Sequence, residues 1–182
     1  MYEHPYLAAQ ITEYEQEQLR QAVERRRFLI EHADQLVADV AQLNDYVHSD
    51  EFVSALDAQG IAGISNGAIA LLDEVANGKI SGEEDWWSGT DLYDFAANVE
   101  GSKMAYSLVR DFAESKDEDG QKLVSAIDKG YADLEAQLAT YGSADTSFVA
   151  YSTLTEADKR TLTDLINALA EPLSRLTVTV LS

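Results

Sequence analysis

The chain has 182 residues, 33 acids against 13 bases, a formal charge of −20, 46% hydrophobic residues and no cysteine. Such an acidic balance argues against nucleic acid or an anionic membrane as partner, because both reward basic surfaces. The lack of cysteine excludes disulfides, thiolate metal sites and cysteine nucleophiles. The length allows one domain with a sizeable core, or a large part of a longer one, and the apolar runs fall far short of the ~20 residues that span a bilayer.

Two prolines, Pro5 and Pro172, leave nearly the whole chain free to be helical. The first five residues, MYEHP, carry neither a basic n-region nor an apolar h-region, so no secretory signal is expected within them. Pro5 suits the first turn of a helix. From there Leu7, Ile11 and Tyr14 recur at helical spacing through a highly charged segment to Arg25, Arg26 and Arg27, a solvated run offset by Glu15, Glu17, Glu24 and Glu31. Leu36, Val40, Leu43 and Val47 continue at intervals of four, three and four, which predicts one long helix or two with a break near His32.

Residues 50–60 are expected to be irregular. Ile61, Ile64, Ala68, Leu71 or Leu72, and Val75 form the next stripe, and Asn77 with Gly78 supplies a left-handed stop. Ser88, with Asp91 three residues on, reads as an acidic capping box opening a helix whose core side is Leu92, Phe95, Val99, Tyr106, Val109 and Phe112. After a turn at 117–120, Leu123, Ile127, Tyr131, Leu134, Leu138 and Tyr141 mark a further helix ended by Gly142. Residues 143–154 are expected to be irregular as well. Thr155, with Asp158 at the third helical position, caps the last helix, whose stripe runs from Leu162 through Leu165, Leu169, Leu173 and Leu176 to Val180. Gly67, Gly101 and Gly130 fall inside these helices, where close helix approach would compensate their cost. The sum is an all-α, antiparallel up-and-down helical bundle.

Three constellations carry candidate chemistry. Gly63, Ser65 and Gly67 match G-x-S-x-G, but a nucleophile elbow needs a preceding strand and a later histidine. All three histidines, at 4, 32 and 48, precede Ser65. His48 and Glu51 have the letters of H-x-x-E, a helical metal-ligand pair, yet fall where a loop is expected. Asp91, Asp94 and Asn98 lie within about 60° of one another on a helix, beside the apolar arc. Oxygen ligands so placed suit a hard cation such as Fe(III) or Ca(II), with Glu83 or Glu84 reaching in from the loop. The competing reading makes Asp91 a helix-capping acid, Asp94 a pairing acid and Asn98 a buried polar contact. Glu100 falls nearly opposite the Asp91 side, and Trp86 and Trp87 would line a pocket for a sugar or other planar ligand or pack over helix ends.

The stretch from Lys79 to Ala105, KISGEEDWWSGTDLYDFAANVEGSKMA, resembles a signature of the imelysin-like family of the EfeO/EfeM iron-uptake lipoprotein type. Gly82, Glu83, Glu84, Ser88, Thr90, Asp91, Leu92, Asp94, Phe95, Ala97, Asn98, Val99, Glu100 and Gly101 match it in order and without a gap. The segments opening at Ala33, Asn66, Leu154 and Ala168 extend the resemblance to residues 33–182, so residues 1–32 read as a charged helix without a clear match, forming one structural unit with the bundle. The family's histidine stands as Gly89 here and its Arg-Tyr pair as Trp86-Trp87, and its upstream H-x-x-E has no counterpart in the first 32 residues.

The resemblance implies part of a two-bundle domain and a non-catalytic component of iron uptake at the periplasm or cell surface. It implies Glu84, Asp91 and Asp94 as ligands for iron or another hard cation, with Glu83, Trp86, Trp87 and Asn98 around them. A permease and a peroxidase-like component are the implied partners, alongside the metal ion. An apolar face left uncovered would give a homo-oligomer. The alternative readings are a metal-free helical protein-interaction module and, more weakly, a binder of polysaccharide.

Overall fold

Helix is the only regular structure among the residues that the computed structural model describes, which are 5–78, 80, 82, 85 and 87–182, with side chains from residue 14 onward. The chain divides into two compact units, Met1–Ala55 and Leu56–Ser182.

The first unit is dominated by α1, Pro5–Val47. After Pro5 this segment contains neither glycine nor proline, so nothing interrupts the i to i−4 ladder. It runs unbroken through His32, whose Nδ1 meets the Phe28 carbonyl at 2.8 Å while the ring lies 3.7 Å from that of Phe28. Pairs one turn apart, such as Arg27 with Glu31 at 2.8 Å and Gln35 with Asp39 at 2.7 Å, add a few tenths of a kcal/mol each. The side chains of Leu7 and Ile11 lie outside the described residues.

The expectation of an irregular segment at 50–60 is corrected: α2 spans Asp50–Asn77. Ser49 acts as its cap, its Oγ accepting the Phe52 N–H at 3.2 Å, and Asp50 and Glu51 place negative charge in the positive first turn. The break comes instead at Gly60, with φ 59° and ψ −158°, a conformation that only glycine adopts readily. At the other end Gly78 keeps a negative φ and donates to the Glu74 carbonyl at 2.9 Å, so the expected left-handed stop is absent there.

In the second unit α2 beyond Gly60 is followed by α3 (Asp91–Glu114), α4 (Glu118–Leu138), α5 (Glu156–Ser174) and the short α6 (Leu176–Leu181). The cross-helix bonds give the topology. Ala68 pairs with Ser102 and Leu71 with Asn98; Ser102 pairs with Tyr131 and Tyr106 with Asp128; Tyr141 pairs with Asp158. In the first two sets one number rises as the other falls, and Gly130 against Leu169 with Tyr141 against Asp158 gives the same sense for α4 and α5, so α2 to α5 run up and down. The predicted stripes supply the core: Ala68, Leu72, Val75, Phe95, Val99, Ile127, Tyr131, Leu134, Leu169 and Leu173 are all buried. Of the other stripe residues here, Ile61, Ile64 and Leu165 are half-buried and Phe112 is 46% exposed under the Lys116 ammonium.

Ser102 shows how the core holds polar atoms without penalty. Its hydroxyl can only donate to the Ala68 carbonyl, at 2.6 Å, so the Tyr131 hydroxyl donates to it at 2.7 Å. One buried chain thereby joins α2, α3 and α4 with every member satisfied. Of the three helical glycines, Gly130 lies against Leu169 and Gly101 against Leu71, whereas Gly67 faces open space and its expected close approach is not found.

The closing helix divides at Arg175, whose N–H turns back to the Pro172 carbonyl three residues earlier, at 3.1 Å. At its start the reciprocal Thr155 and Asp158 capping box forms as the spacing predicts.

Candidate functional site

The N-terminal end of α3 gathers the chemistry, and two loops fix it in place. Gly82 takes φ 69° under the Tyr151 ring, where a Cβ would come within 2.3 Å of that ring. Gly89 takes φ 68°; its N–H donates to the Asp85 carbonyl at 2.7 Å and its carbonyl accepts the Tyr151 N–H at 2.9 Å. The Tyr151 hydroxyl donates to the Ile80 carbonyl. On the other side, the Tyr93 hydroxyl accepts the Phe148 N–H at 3.3 Å, and the two rings meet edge to face. The segment between α4 and α5 thus meets the loop before α3 at Ile80, Gly82 and Gly89, and α3 itself at Tyr93.

The helix start differs from the expected capping box. Thr90, not Ser88, occupies the cap position and makes no side-chain cap bond; it donates instead to the Asp85 carboxylate and pairs with Ser88 at 2.8 Å. Asp91 is the first helical residue and is 1% exposed, its Oδ1 accepting the Asp85 N–H at 3.1 Å. A buried carboxylate at a helix N-terminus gains from the unpaired N–H groups and the positive end of the dipole. It also lies close enough to Tyr151 to act on it: burial first, and then the charge of Asp91, push that phenol above its ordinary value.

Asp94 is half-buried one turn on. Asn98 reaches across to α2, its Nδ2 donating to Glu74 Oε2 at 3.0 Å and to the Leu71 carbonyl at 3.4 Å. Trp87 is 90% exposed. Glu83, Glu84 and Trp86 lie outside the described residues. Among the described residues no group of three or more His, Cys, Asp or Glu side chains is arranged to hold a metal ion.

Two residues near this site escaped the sequence reading. Glu74 is brought beside Asn98 by the antiparallel α2 and α3 pair, a relation no local spacing encodes. Asp85 organises the loop through its carbonyl, N–H and carboxylate together, and its only signal was its place in an acidic run.

The remaining candidates resolve into structural roles. Ser65 lies mid-helix in α2, in hydrogen-bond reach of the Ile61 and Ala62 carbonyls and of Thr177 Oγ1 at 2.9 Å, and Thr177 in turn donates to Asn66 Oδ1 at 2.7 Å. A serine back-bonded within a helix has no nucleophile geometry. His48 Nδ1 meets the Asn44 carbonyl at 2.7 Å and therefore carries its proton there, closing the end of α1.

Residues 4–176 match the sequence profile of the Imelysin family (Peptidase M75). The chain is 40% identical over 144 residues to "Iron uptake system component EfeM" of Pseudomonas syringae pv. syringae, covering 79% of this chain and 47% of that one. It is 37% identical over 146 residues to an "Efem/EfeO family lipoprotein" of Staphylococcus haemolyticus, covering 80% and 47%, and 34% identical over 146 residues to one of Staphylococcus aureus USA300, covering 80% and 48%. The chain spans about half the length of the curated relatives it matches.

Proposed function

The chain belongs to the imelysin family, and on that footing we propose that it is a non-catalytic component of bacterial iron uptake that holds or passes on ferric iron at the cell envelope. The observation that carries this reading is its 40% identity to a protein named as an iron-uptake component. The acids at the start of α3 supply the chemistry. Fe(III) is a hard cation that favours carboxylate oxygens, Asp94 is half-buried in the first turn of α3, and Glu83 and Glu84 precede it in an acidic stretch of sequence. Asp91 sits deeper, where its charge attracts a cation while its bond to the Asp85 N–H holds the loop. The iron is cargo, and the partners that would deliver or receive it are a permease and a peroxidase-like component.

Calorimetry with Fe(III)-citrate and with Ca(II) tests the proposal. Glu84→Gln with Asp94→Asn should weaken Fe(III) binding at least tenfold while leaving helicity intact. Asp91→Asn should weaken it too, at some cost in melting temperature. Binding that survives the double change would reject these residues as the site, and no Fe(III) binding by the parent would leave the metal-free protein-interaction reading in its place. That second reading draws support from Gly89, which removes the one imidazole of the family signature.

A further inference from the structure

We propose that α1 is a self-association helix that pairs antiparallel with α1 of a second copy about a two-fold axis near residues 31 and 32. The argument begins with exposure. Leu36 is 63% exposed and Val40 56%, and Leu19, Leu29 and Leu43 on the same face are exposed to a similar degree. A single helix presenting so much apolar surface favours a partner that covers it. From Leu19 to Val47 this face advances in steps of three and four, a seam about 42 Å long.

The seam is self-complementary in one direction only. Run antiparallel, it sets Leu19 against the partner's Leu43, Ala22 against the partner's Val40, and Leu29 against the partner's Ala33. Small then meets large at two of these layers, as close packing requires. Arg26 falls opposite the partner's Leu36, where its aliphatic stem can lie over the apolar face while its charge reaches the rim.

Charge fixes the direction. On the flank beside the seam Arg25 lies before residue 31 and Asp39 after it. The antiparallel arrangement brings Arg25 to the partner's Asp39 on one rim, while Val23, Ile30 and Val37 widen the apolar face on the other. A parallel, in-register pair would instead set Arg26 directly against the partner's Arg26 inside the seam. Asp39 already has Gln35 within its own helix, so the rim pair selects orientation more than it adds affinity. This pairing is independent of any metal role.

The lack of cysteine makes the test clean. The 182-residue parent should sediment as a dimer at micromolar concentration. Leu36→Glu with Val40→Glu should raise the dissociation constant at least tenfold with helicity retained, while Ala38→Glu, off the seam, should leave it unchanged. Mixing a Leu29→Cys chain with an Ala33→Cys chain under mild oxidation should give chiefly the 29-to-33 disulfide. A monomeric parent would overturn the proposal and assign the face to a different partner. Predominant 29-to-29 and 33-to-33 products would overturn the antiparallel direction. Dimerisation insensitive to the seam variants would move the contact away from α1.

Discussion

The Tyr106 hydroxyl donates to Asp128 Oδ1 at 2.8 Å, tying α3 to α4 at the point where the Arg110 guanidinium also grips Asp128, at 2.8 and 3.1 Å. Burial alone would raise the Asp128 carboxyl, but the bonds from Arg110 and Tyr106 hold it below its ordinary value. Its contribution to stability is therefore present at neutral pH and is lost as pH falls below about 4. Tyr106→Phe should cost about 1 kcal/mol, the low end of the range for a broken buried hydrogen bond, because Arg110 still satisfies the carboxylate. Urea denaturation of the variant checks this, and its acid transition should begin at higher pH than the parent's.

The same tyrosines predict an alkaline transition. Burial raises Tyr106 far above the usual phenol value and pushes Tyr131 up to about 12. An unfolded chain releases both protons near pH 10, so stability is unaffected below that point and falls above it, by roughly 1.4 kcal/mol per pH unit for each phenol. Phenolate absorbance should therefore rise in two phases, with the buried pair titrating only as helicity is lost. All nine tyrosines ionising together near pH 10 in a folded protein would contradict this.

Gly130 marks a close approach of α4 to α5. A Cβ there would lie 2.9 Å from Leu169 Cδ1 and 3.3 Å from its Cα, so α4 and α5 would have to separate. Gly130→Ala should destabilise by about 1 to 2 kcal/mol, the overpacking cost less the gain in helix propensity. Gly67→Ala, facing open space, should stabilise by about 0.5 to 1 kcal/mol. Thermal melts of the two variants should move in opposite directions.

Gly89→His restores the family's imidazole but asks it to adopt φ 68°, which costs an L-residue about 1 to 2 kcal/mol. Space is not the obstacle, since the nearest side-chain atom to a new Cβ is Ala150 Cβ at 3.9 Å. The variant should melt below the parent without metal. With Zn(II) it should regain stability if the imidazole reaches the acids of α3. An equal deficit with and without Zn(II) would place the ring away from them.

Periodicity read the core well because burial of one helical face is a local property. Leu92, Phe95, Val99 and Tyr106, and Leu123 through Leu138, face inward as their spacing implies. What it could not read were relations set by partners. The helix at 50–59 rests on the Ser49 cap in a segment lacking a clear stripe. Gly67 and Gly130 look alike in sequence, and only the neighbouring helix separates them. The candidate site divides in the same way: the signature located the start of α3, but the depth of Asp91 and the Asn98 bond to Glu74 depend on how loop and helices close around them.

The hydroxyl chain from Ser65 through Thr177 to Asn66 has a consequence for connectivity. It clasps α2 to α6, and Ser65 and Thr177 each lie within about two helical turns of an end of the bundle, near Gly60 and Ser182 respectively. A short glycine-rich bridge between those ends would close residues 61–182 into a ring. The exposed stretch at 144–147 would then offer a place to open new termini, so the bundle is suited to circular permutation with its helix packing retained.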